Sequence, residues 1–143
     1  HCLSRGLGDV YKRQVKYILM NTVGNRNRDL PEKISFSEKC IIWLLRLLVP
    51  PHIDNEEAAD FLRTKIGQND NTIKWVVVRP SSLIDEEDVS EYKTHSSPTR
   101  SAIFNDGKVS RVNVAAFMNK LITDQNLWEK WKGQMPVIYN KEK

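Results

Sequence analysis

The stretch Ile73-Lys-Trp-Val-Val-Val-Arg-Pro-Ser-Ser-Leu-Ile-Asp85 limits the possible folds of this chain more than any other stretch does. Three consecutive valines after a tryptophan predict a β-strand that is buried on both faces, as in a parallel sheet covered by helices. Pro80 has no amide hydrogen, so the strand is expected to end there. Open α/β sheets bind their ligands beyond the carboxyl ends of such strands. An equally good interpretation is a core strand that simply ends at a proline.

Composition and charge exclude several classes of protein. The chain has 143 residues, of which 40% are hydrophobic and 28% charged, which is typical of one soluble globular domain. The net charge of +4 is not gathered in a basic block, so no nucleic-acid partner is predicted. The longest apolar run, Cys40 to Pro51, is too short to span a bilayer. There is no secretory signal and no disulfide framework, which favours the cytoplasm.

The first fourteen residues, His1 to Gln14, show no sustained helix or strand period. They resemble the peptide that results when a sequencing adapter is translated together with a gene, so we expect this segment to be non-native. The native part is then residues 15–143, and we expect its amino-terminal portion to be missing. Cys2 would not be native, and Cys40 is interpreted as a small core residue rather than a reactive thiol.

The native part is predicted to contain both strands and helices. Val15–Met20 is a predicted strand, and the turn-forming residues from Asn21 to Asn25 follow it. Ser37 is expected to cap a helix that runs from Glu38 to about Val49. The apolar residues of this helix cover more than one face, which favours a helix lying over a hydrophobic cleft. A lid, a dimer surface or a groove for a partner are alternatives for its segment Trp43–Leu48.

Further helices and strands are predicted after Asp54. A helix is predicted from Glu56 to Ile66, capped by Asp54 or Asn55 and stopped by Gly67. An extended loop or edge hairpin at Tyr92–Pro98 and a short strand at Ser101–Phe104 are predicted to follow. The last predicted elements are a helix starting at Ser110 or Asn113, a short amphipathic segment opened by Asp124, and a strand at Met135–Tyr139.

Five segments in a fixed order resemble a known family. They are Asn21-Thr-Val-Gly24, Trp75-Val-Val-Val-Arg-Pro80, Leu83-Ile-Asp85, Gly107-Lys108 and Ser110-Arg-Val-Asn-Val-Ala115. This order is similar to the carboxyl-terminal half of atypical short-chain dehydrogenases/reductases, a group that includes NmrA-like and biliverdin-reductase-B-like proteins. Asn113 stands where that family usually has aspartate.

The resemblance implies an α/β fold, namely the carboxyl-terminal half of a Rossmann-type doubly wound parallel sheet. It also implies an NAD or NADP cofactor, whose glycine-rich phosphate turn would lie upstream of residue 15. The nicotinamide amide needs a donor and an acceptor, which serine hydroxyls and backbone groups supply. The residues implied to contact the cofactor are Asn21, Thr22 and Val23 beside the nicotinamide ribose, and Arg79, Pro80, Ser81, Ser82 and Leu83 around the ring. For Arg79, an ion pair with Asp85 or Asp60 is an equally good interpretation.

The chain departs from active family members at the catalytic pair. These enzymes use Tyr-x-x-x-Lys for proton transfer, and the corresponding positions here are His52 and Glu56. His52 is a candidate proton donor, with a surface histidine as the alternative. Thr22 is a candidate for orienting the substrate, with a turn-capping role as the alternative. No metal-ligand spacing is found.

Three functions therefore remain open at the level of the sequence. The first is an NAD(P)H-dependent oxidoreductase that acts on a small molecule of unknown identity. The second is a non-catalytic NAD(P)-binding regulator or redox sensor of the NmrA-like kind. The third is an interaction module built on the predicted helix that contains Trp43.

Overall fold

The computed structural model describes residues 14–22, 27–48, 50–101, 105 and 107–142, without the side chains of residues 45, 46, 48 and 50–53. These residues form both strands and helices. In chain order the elements are β1 (Val15–Met20), α1 (Phe36–Leu48), α2 (Pro50–Phe61) with a π-helical turn (Leu62–Ile66), β2 (Ile73–Pro80), β3 (Ser82–Ile84), β4 (Tyr92–His95), β5 (Lys108–Ser110), α3 (Arg111–Thr123), α4 (Gln125–Trp131) and β6 (Val137–Asn140).

Four strands form one sheet in the order β1-β2-β6-β4. β1, β2 and β6 are parallel, whereas β4 runs antiparallel to β6 at one edge. The register places Met20 beside Val78 and Arg79 beside Val137. β3 and β5 form a separate parallel pair. The valine-rich segment is therefore an interior strand that ends at Pro80, as its sequence predicts.

The two faces of β2 are covered by different helices, so the sheet is doubly wound. Side chains on a strand point alternately to opposite faces. Val76 and Val78 pack with residues of α3 and α4, while Trp75 and Val77 pack with residues of α2 and its π-helical turn. Burying one valine completely stabilises the fold by about 1.5–3 kcal/mol, and all three valines of β2 are fully buried. The unbroken apolar run of β2 is explained by this double coverage.

Helix α1 begins at Phe36, two residues earlier than the predicted cap at Ser37 implies. The Oγ atom of Ser35 accepts a hydrogen bond from the Glu38 backbone N–H at 3.3 Å, and a Glu38 carboxylate oxygen accepts one from the Ser35 N–H at 3.1 Å. This reciprocal pair is a capping box, which needs a glutamate three residues after the capping serine. The prediction that Ser37 caps the helix is wrong because Glu38 is at that spacing from Ser35.

Helix α2 also starts earlier than predicted, at Pro50 rather than at Glu56. Proline is compatible with the first turn of a helix, where its missing N–H would have no partner in any case. The predicted caps Asp54 and Asn55 are therefore interior residues of α2. Gly67 does end this helical segment: its φ is 65°, and its N–H donates to the Leu62 carbonyl at 2.8 Å.

Two apolar surfaces are exposed in the part of the chain that the structure describes. On α1, Phe36, Trp43 and Leu47 expose 82%, 62% and 62% of their surface. Cys40 is exposed as well. The predictions that this helix lies over a hydrophobic cleft and that Cys40 is a core residue are therefore wrong for these side chains. The second surface is at β1, an edge strand of the sheet with several half-exposed apolar side chains.

The carboxyl-terminal elements follow their predicted caps. The Ser110 Oγ accepts from the Asn113 N–H at 3.2 Å at the start of α3, and the Asp124 carboxylate accepts from two backbone N–H groups at the start of α4. The segment from Tyr92 forms the edge strand β4, and the last strand is Val137–Asn140. Most of the predicted strand Ser101–Phe104 lies outside the described residues. Among the described helices, none has the length and apolarity needed to cross a membrane.

Candidate functional site

The carboxyl ends of β1 and β2 meet at the same edge of the sheet. The Asn21 N–H donates to the Val78 carbonyl at 2.7 Å, and the Ser81 N–H donates to the Ile138 carbonyl at 3.4 Å. These bonds continue the parallel ladder by one residue beyond each strand. The structure therefore brings Asn21 and Thr22 next to the Arg79–Ser81 segment. Val23, which the sequence places in the same group, lies outside the described residues.

Asn21 connects this edge to α2. Its side chain is nearly buried, with its Nδ2 donating to the Asn55 carbonyl at 2.8 Å and its Oδ1 accepting from the Thr22 N–H at 2.9 Å. His52 precedes Asn55 by one helical turn, so its backbone lies near the same edge. The His52 side chain is outside what the structure describes. Thr22 is half-buried directly beyond Asn21.

Arg79 is fully buried and holds several segments together. One guanidinium nitrogen lies 2.8 Å from a carboxylate oxygen of Glu32, an ion pair rather than an aligned hydrogen bond. Its Nε donates to the Met135 carbonyl at 2.8 Å, and its Nη2 donates to the Ser96 carbonyl at 3.1 Å. Glu32 in turn accepts from the Asn27 N–H at 3.0 Å. Arg79 therefore anchors the segment between β1 and α1 to the edge of the sheet.

The partner of Arg79 differs from both carboxylates that the sequence suggested. Asp85 pairs with Arg111 at 2.6 Å, and Asp60 pairs with Arg28 at 2.8 Å. Glu32 lies in an irregular segment, where no periodicity marks a buried residue. An ion pair over such a sequence separation leaves no local pattern, so sequence reasoning could predict that Arg79 is paired but not with which residue.

Two buried hydroxyl groups beside Arg79 have no hydrogen-bond partner among the described residues. They are the Ser81 Oγ and the Tyr139 hydroxyl. The register of β2 and β6 pairs Pro80 with Ile138, so Ser81 and Tyr139 are the next pair along the two strands. Leaving a buried hydroxyl unsatisfied costs about 1–3 kcal/mol, and such groups usually have a partner in the functional state. Ser81 was predicted from the sequence, whereas Tyr139 was not.

Ser82 and Leu83 belong to β3, which pairs with β5 in the separate two-stranded sheet. Both are exposed, and they pair in register with Lys108 and Val109 of β5. The structure therefore places the predicted site residues Asn21, Thr22, Pro80 and Ser81 around one edge, with Arg79 buried behind them and Ser82 and Leu83 beside them. The edge offers hydroxyl and backbone groups that fit a carboxamide, which needs both a donor and an acceptor.

The chain matches no protein-family model and no curated protein. It is similar in structure to a wide-type short-chain dehydrogenase/reductase from Veillonella parvula, solved in complex with NADP, with 18% identity and a TM-score of 0.54, over 95% of this chain and 54% of that one. Like the solved structures named below, this relative supports a fold comparison only.

Two further solved structures agree with this result. A provisionally named NAD-dependent epimerase/dehydratase from Bacillus halodurans has 18% identity and a TM-score of 0.54, over 87% of this chain and 46% of that one. The oxidoreductase YlbE from Lactococcus lactis has 13% identity and a TM-score of 0.54, over 87% of this chain and 46% of that one.

This chain forms part of a Rossmann-type sheet. The parallel strands, the helices on both faces and the solved structures agree on this point. The chain spans about half the length of those structures. In Rossmann-type sheets the dinucleotide lies across the carboxyl ends of the strands, which is the edge that holds Asn21 and Ser81 here. The resemblance to short-chain dehydrogenases/reductases is thus confirmed at the level of the fold.

Proposed function

We propose that this chain supplies the nicotinamide side of an NAD(P)-binding site in an atypical short-chain oxidoreductase. The observation that supports the proposal most is the buried Ser81 Oγ, which has no partner among the described residues at the edge where Rossmann-type sheets hold dinucleotides. The NADP-bound Veillonella structure, which shares the fold, supports the same ligand class. The choice between NAD and NADP rests on segments other than those described.

In this proposal each residue of the edge has a separate task. Ser81 and the backbone beyond Pro80 bind the carboxamide, with Ser82 and Leu83 beside the ring. Asn21, Thr22 and Val23 lie against the nicotinamide ribose. Arg79 is a positioning residue, because its guanidinium is engaged with Glu32 and with two carbonyl groups. The cofactor supplies the hydride, and the protein orients it and excludes water.

The reaction also requires a proton donor beside the substrate oxygen. His52 is the candidate proton donor, since histidine exchanges protons near neutral pH, and Thr22 is the candidate for orienting the substrate oxygen. Glu56, which occupies the position of the family's catalytic lysine, forms an ion pair with Arg28 at 2.8 Å. A paired carboxylate at this position cannot lower the pKa of a neighbouring proton donor as a lysine would, because its charge has the opposite sign.

The same observation favours a second candidate function, a non-catalytic NAD(P)-binding regulator or redox sensor of the NmrA-like kind. Both functions need the same dinucleotide pocket. They differ in turnover. Incubating the full-length protein with NADPH and a panel of quinones, flavins and aldehydes separates them, since oxidation of the cofactor above background supports the enzyme, and binding without oxidation supports the regulator.

Dinucleotide binding is tested by calorimetry with NADP and NAD on the full-length protein and on its Ser81→Ala variant. We expect the variant to bind about three- to tenfold more weakly, because one hydrogen bond to the cofactor is lost. Its thermal midpoint should not fall, since the deleted hydroxyl has no partner among the described residues without ligand.

The matched control is Ser37→Ala, which removes an exposed hydroxyl from α1. We expect this variant to bind the dinucleotide as the unmodified protein does. If the protein binds neither NADP nor NAD, both candidate functions are wrong. If Ser37→Ala and Ser81→Ala weaken binding equally, Ser81 has no special role in the pocket.

A further inference from the structure

A basic groove lies beside the proposed nicotinamide site, on the β4 side of the sheet. It is a cavity of about 770 Å³, and the charged and aromatic residues that line it are Lys93, His95, Arg100, Lys108, Tyr139, Lys141 and the acidic Glu142. Cations predominate among these residues. A concave surface of one charge sign attracts ligands of the opposite sign.

Part of this positive charge is compensated within the protein. Arg100 forms an ion pair with Glu142, and Lys141 forms one with Glu91. The pKa of Glu91 is lowered chiefly because Lys141 donates a hydrogen bond to its carboxylate, with a smaller effect from the charge of Lys93.

Lys93 and Lys108 differ from these paired cations. Within the described ranges neither has a carboxylate at ion-pair distance. The groove therefore retains at least two positive charges that can interact with a ligand.

Tyr139 gives the groove a second polar feature, independent of its charge. The residue is 6% exposed, lines the groove, and carries a hydroxyl without a hydrogen-bond partner in the described part of the chain. Gly107 covers its ring, since a Cβ atom on Gly107 would lie 2.9 Å from the Tyr139 Cδ1, and the φ of Gly107 is +70°. The His95 ring lies 6.0 Å from the Tyr139 ring. The Tyr139 ring is thus closely packed, and its buried hydroxyl is left without a hydrogen-bond partner among the described residues.

The groove begins one strand away from Ser81. Tyr139 is the neighbour of Ser81 across β2 and β6, and Lys93 pairs with Tyr139 across β4 and β6. Lys93 and His95 are two residues apart on β4 and so share a face of the sheet. The groove and the proposed nicotinamide site therefore lie on neighbouring strands of the same sheet.

We propose that this groove binds the phosphate or carboxylate group of an anionic small-molecule substrate. Lys93 and Lys108 provide the charge, and the Tyr139 hydroxyl provides a directed hydrogen bond. The identification of the anion as part of the substrate rests on the proposed oxidoreductase function. The binding of the anion does not, since it depends only on the groove.

The test is a titration of the full-length protein, saturated with NADP, with inorganic phosphate and separately with succinate, followed by calorimetry. Saturation with NADP prevents phosphate from binding at the phosphate sites of the cofactor. We expect the double variant K93Q/K108Q to weaken binding of the preferred anion by roughly tenfold, because two charge-assisted contacts are lost. The matched control is Lys65→Gln, which removes an exposed lysine from the π-helical turn.

Tyr139→Phe separates a ligand contact from a purely structural role. We expect it to weaken anion binding about threefold to tenfold without lowering the thermal midpoint, because the hydroxyl it removes has no partner among the described residues. A role in folding alone would lower the midpoint and leave the affinity unchanged, and this result would overturn the assignment of Tyr139.

Each outcome of these titrations has a distinct consequence. Preferential binding of phosphate or of succinate, weakened by K93Q/K108Q but not by Lys65→Gln, supports the groove and identifies the acidic group. Equal affinities in K93Q/K108Q and the unmodified protein overturn the proposal. If the protein fails to bind NADP but still binds the anion through Lys93 and Lys108, the proposed function is wrong and the anion site stands.

Discussion

Replacing Arg79 by methionine is expected to lower the free energy of unfolding by about 3–5 kcal/mol, which is the cost of removing one partner from a buried ion pair. The substitution leaves the Glu32 carboxylate buried without its cation, and it removes the hydrogen bonds to the Met135 and Ser96 carbonyls. The measurement is equilibrium unfolding by denaturant. Because Arg79 anchors the segment that carries Glu32, we expect dinucleotide binding to weaken in the same variant.

Two controls define this result. Arg111→Met breaks an exposed ion pair with Asp85, and it should leave the unfolding midpoint nearly unchanged, since exposed pairs are screened by water. The double variant R79M/E32M should regain part of the lost stability, because the unpaired carboxylate is gone while the two carbonyls still lack their donor. A loss as small for Arg79→Met as for Arg111→Met would contradict the structural role of the buried pair.

Replacing Asn113 by aspartate, the residue usual at this position in the resembling family, is expected to destabilise this protein by about 3 kcal/mol. The Asn113 side chain is fully buried, and its Nδ2 donates to the Asn140 Oδ1 at 2.7 Å and to the Ser90 Oγ at 2.9 Å. The Asn140 Oδ1 also accepts from the Ser110 N–H at 3.0 Å. An aspartate would place a carboxylate oxygen against this acceptor, and none of the described hydrogen-bond partners of Asn113 is a cation.

The destabilisation of Asn113→Asp should depend on pH in a known direction. A buried carboxylate without a cation has a pKa above its value in the unfolded chain. The penalty is therefore largest at high pH and shrinks as the pH falls through the folded-state pKa, because the protonated acid is neutral and can donate to Asn140. Unfolding of the variant and of the unmodified protein is compared at pH 8 and pH 5, and the difference between them should decrease.

The difference is the informative quantity, because the unmodified protein also loses stability in acid. The pKa of Glu129 is lowered by the hydrogen bond from Lys132, and that of Asp70 by bonds from the Ile73 and Thr72 N–H groups. Their contributions are present above their unfolded pKa values and are lost as the pH falls through the folded ones. The control is Asn119→Asp on the exposed side of α3. A penalty that is constant with pH, or equal in both variants, would contradict this explanation.

The departure of Asn113 from the family pattern thus has a local explanation in the fold. The sequence shows only that an amide replaces a carboxylate at the start of a helix. The structure adds that Asn140, at the end of the last strand, presents an oxygen to this position. A donor is needed there, and asparagine supplies it while aspartate does not.

The sequence by itself determined the elements whose cause is local. The apolar run of β2 predicts an interior strand, Pro80 ends it, and Gly67, Ser110 and Asp124 occupy the helix ends that their chemistry favours. The Rossmann-type sheet followed from the five segments that resemble short-chain dehydrogenases/reductases, and the parallel strands of the structure confirm it. The predicted start of α1 was wrong because Ser35 and Ser37 are both possible caps. Only the reciprocal hydrogen bonds between Ser35 and Glu38 distinguish them.

Only the tertiary structure decided which distant groups meet. The pairing of Arg79 with Glu32, the position of Tyr139 beside Ser81 and the cations of the basic groove all join segments far apart in the chain. The exposure of Trp43 and Cys40 belongs to the same class, because an amphipathic pattern shows that a helix has an apolar face but not what covers that face. Contacts of this kind depend on how strands and helices are arranged in space, and no local spacing of residues encodes them.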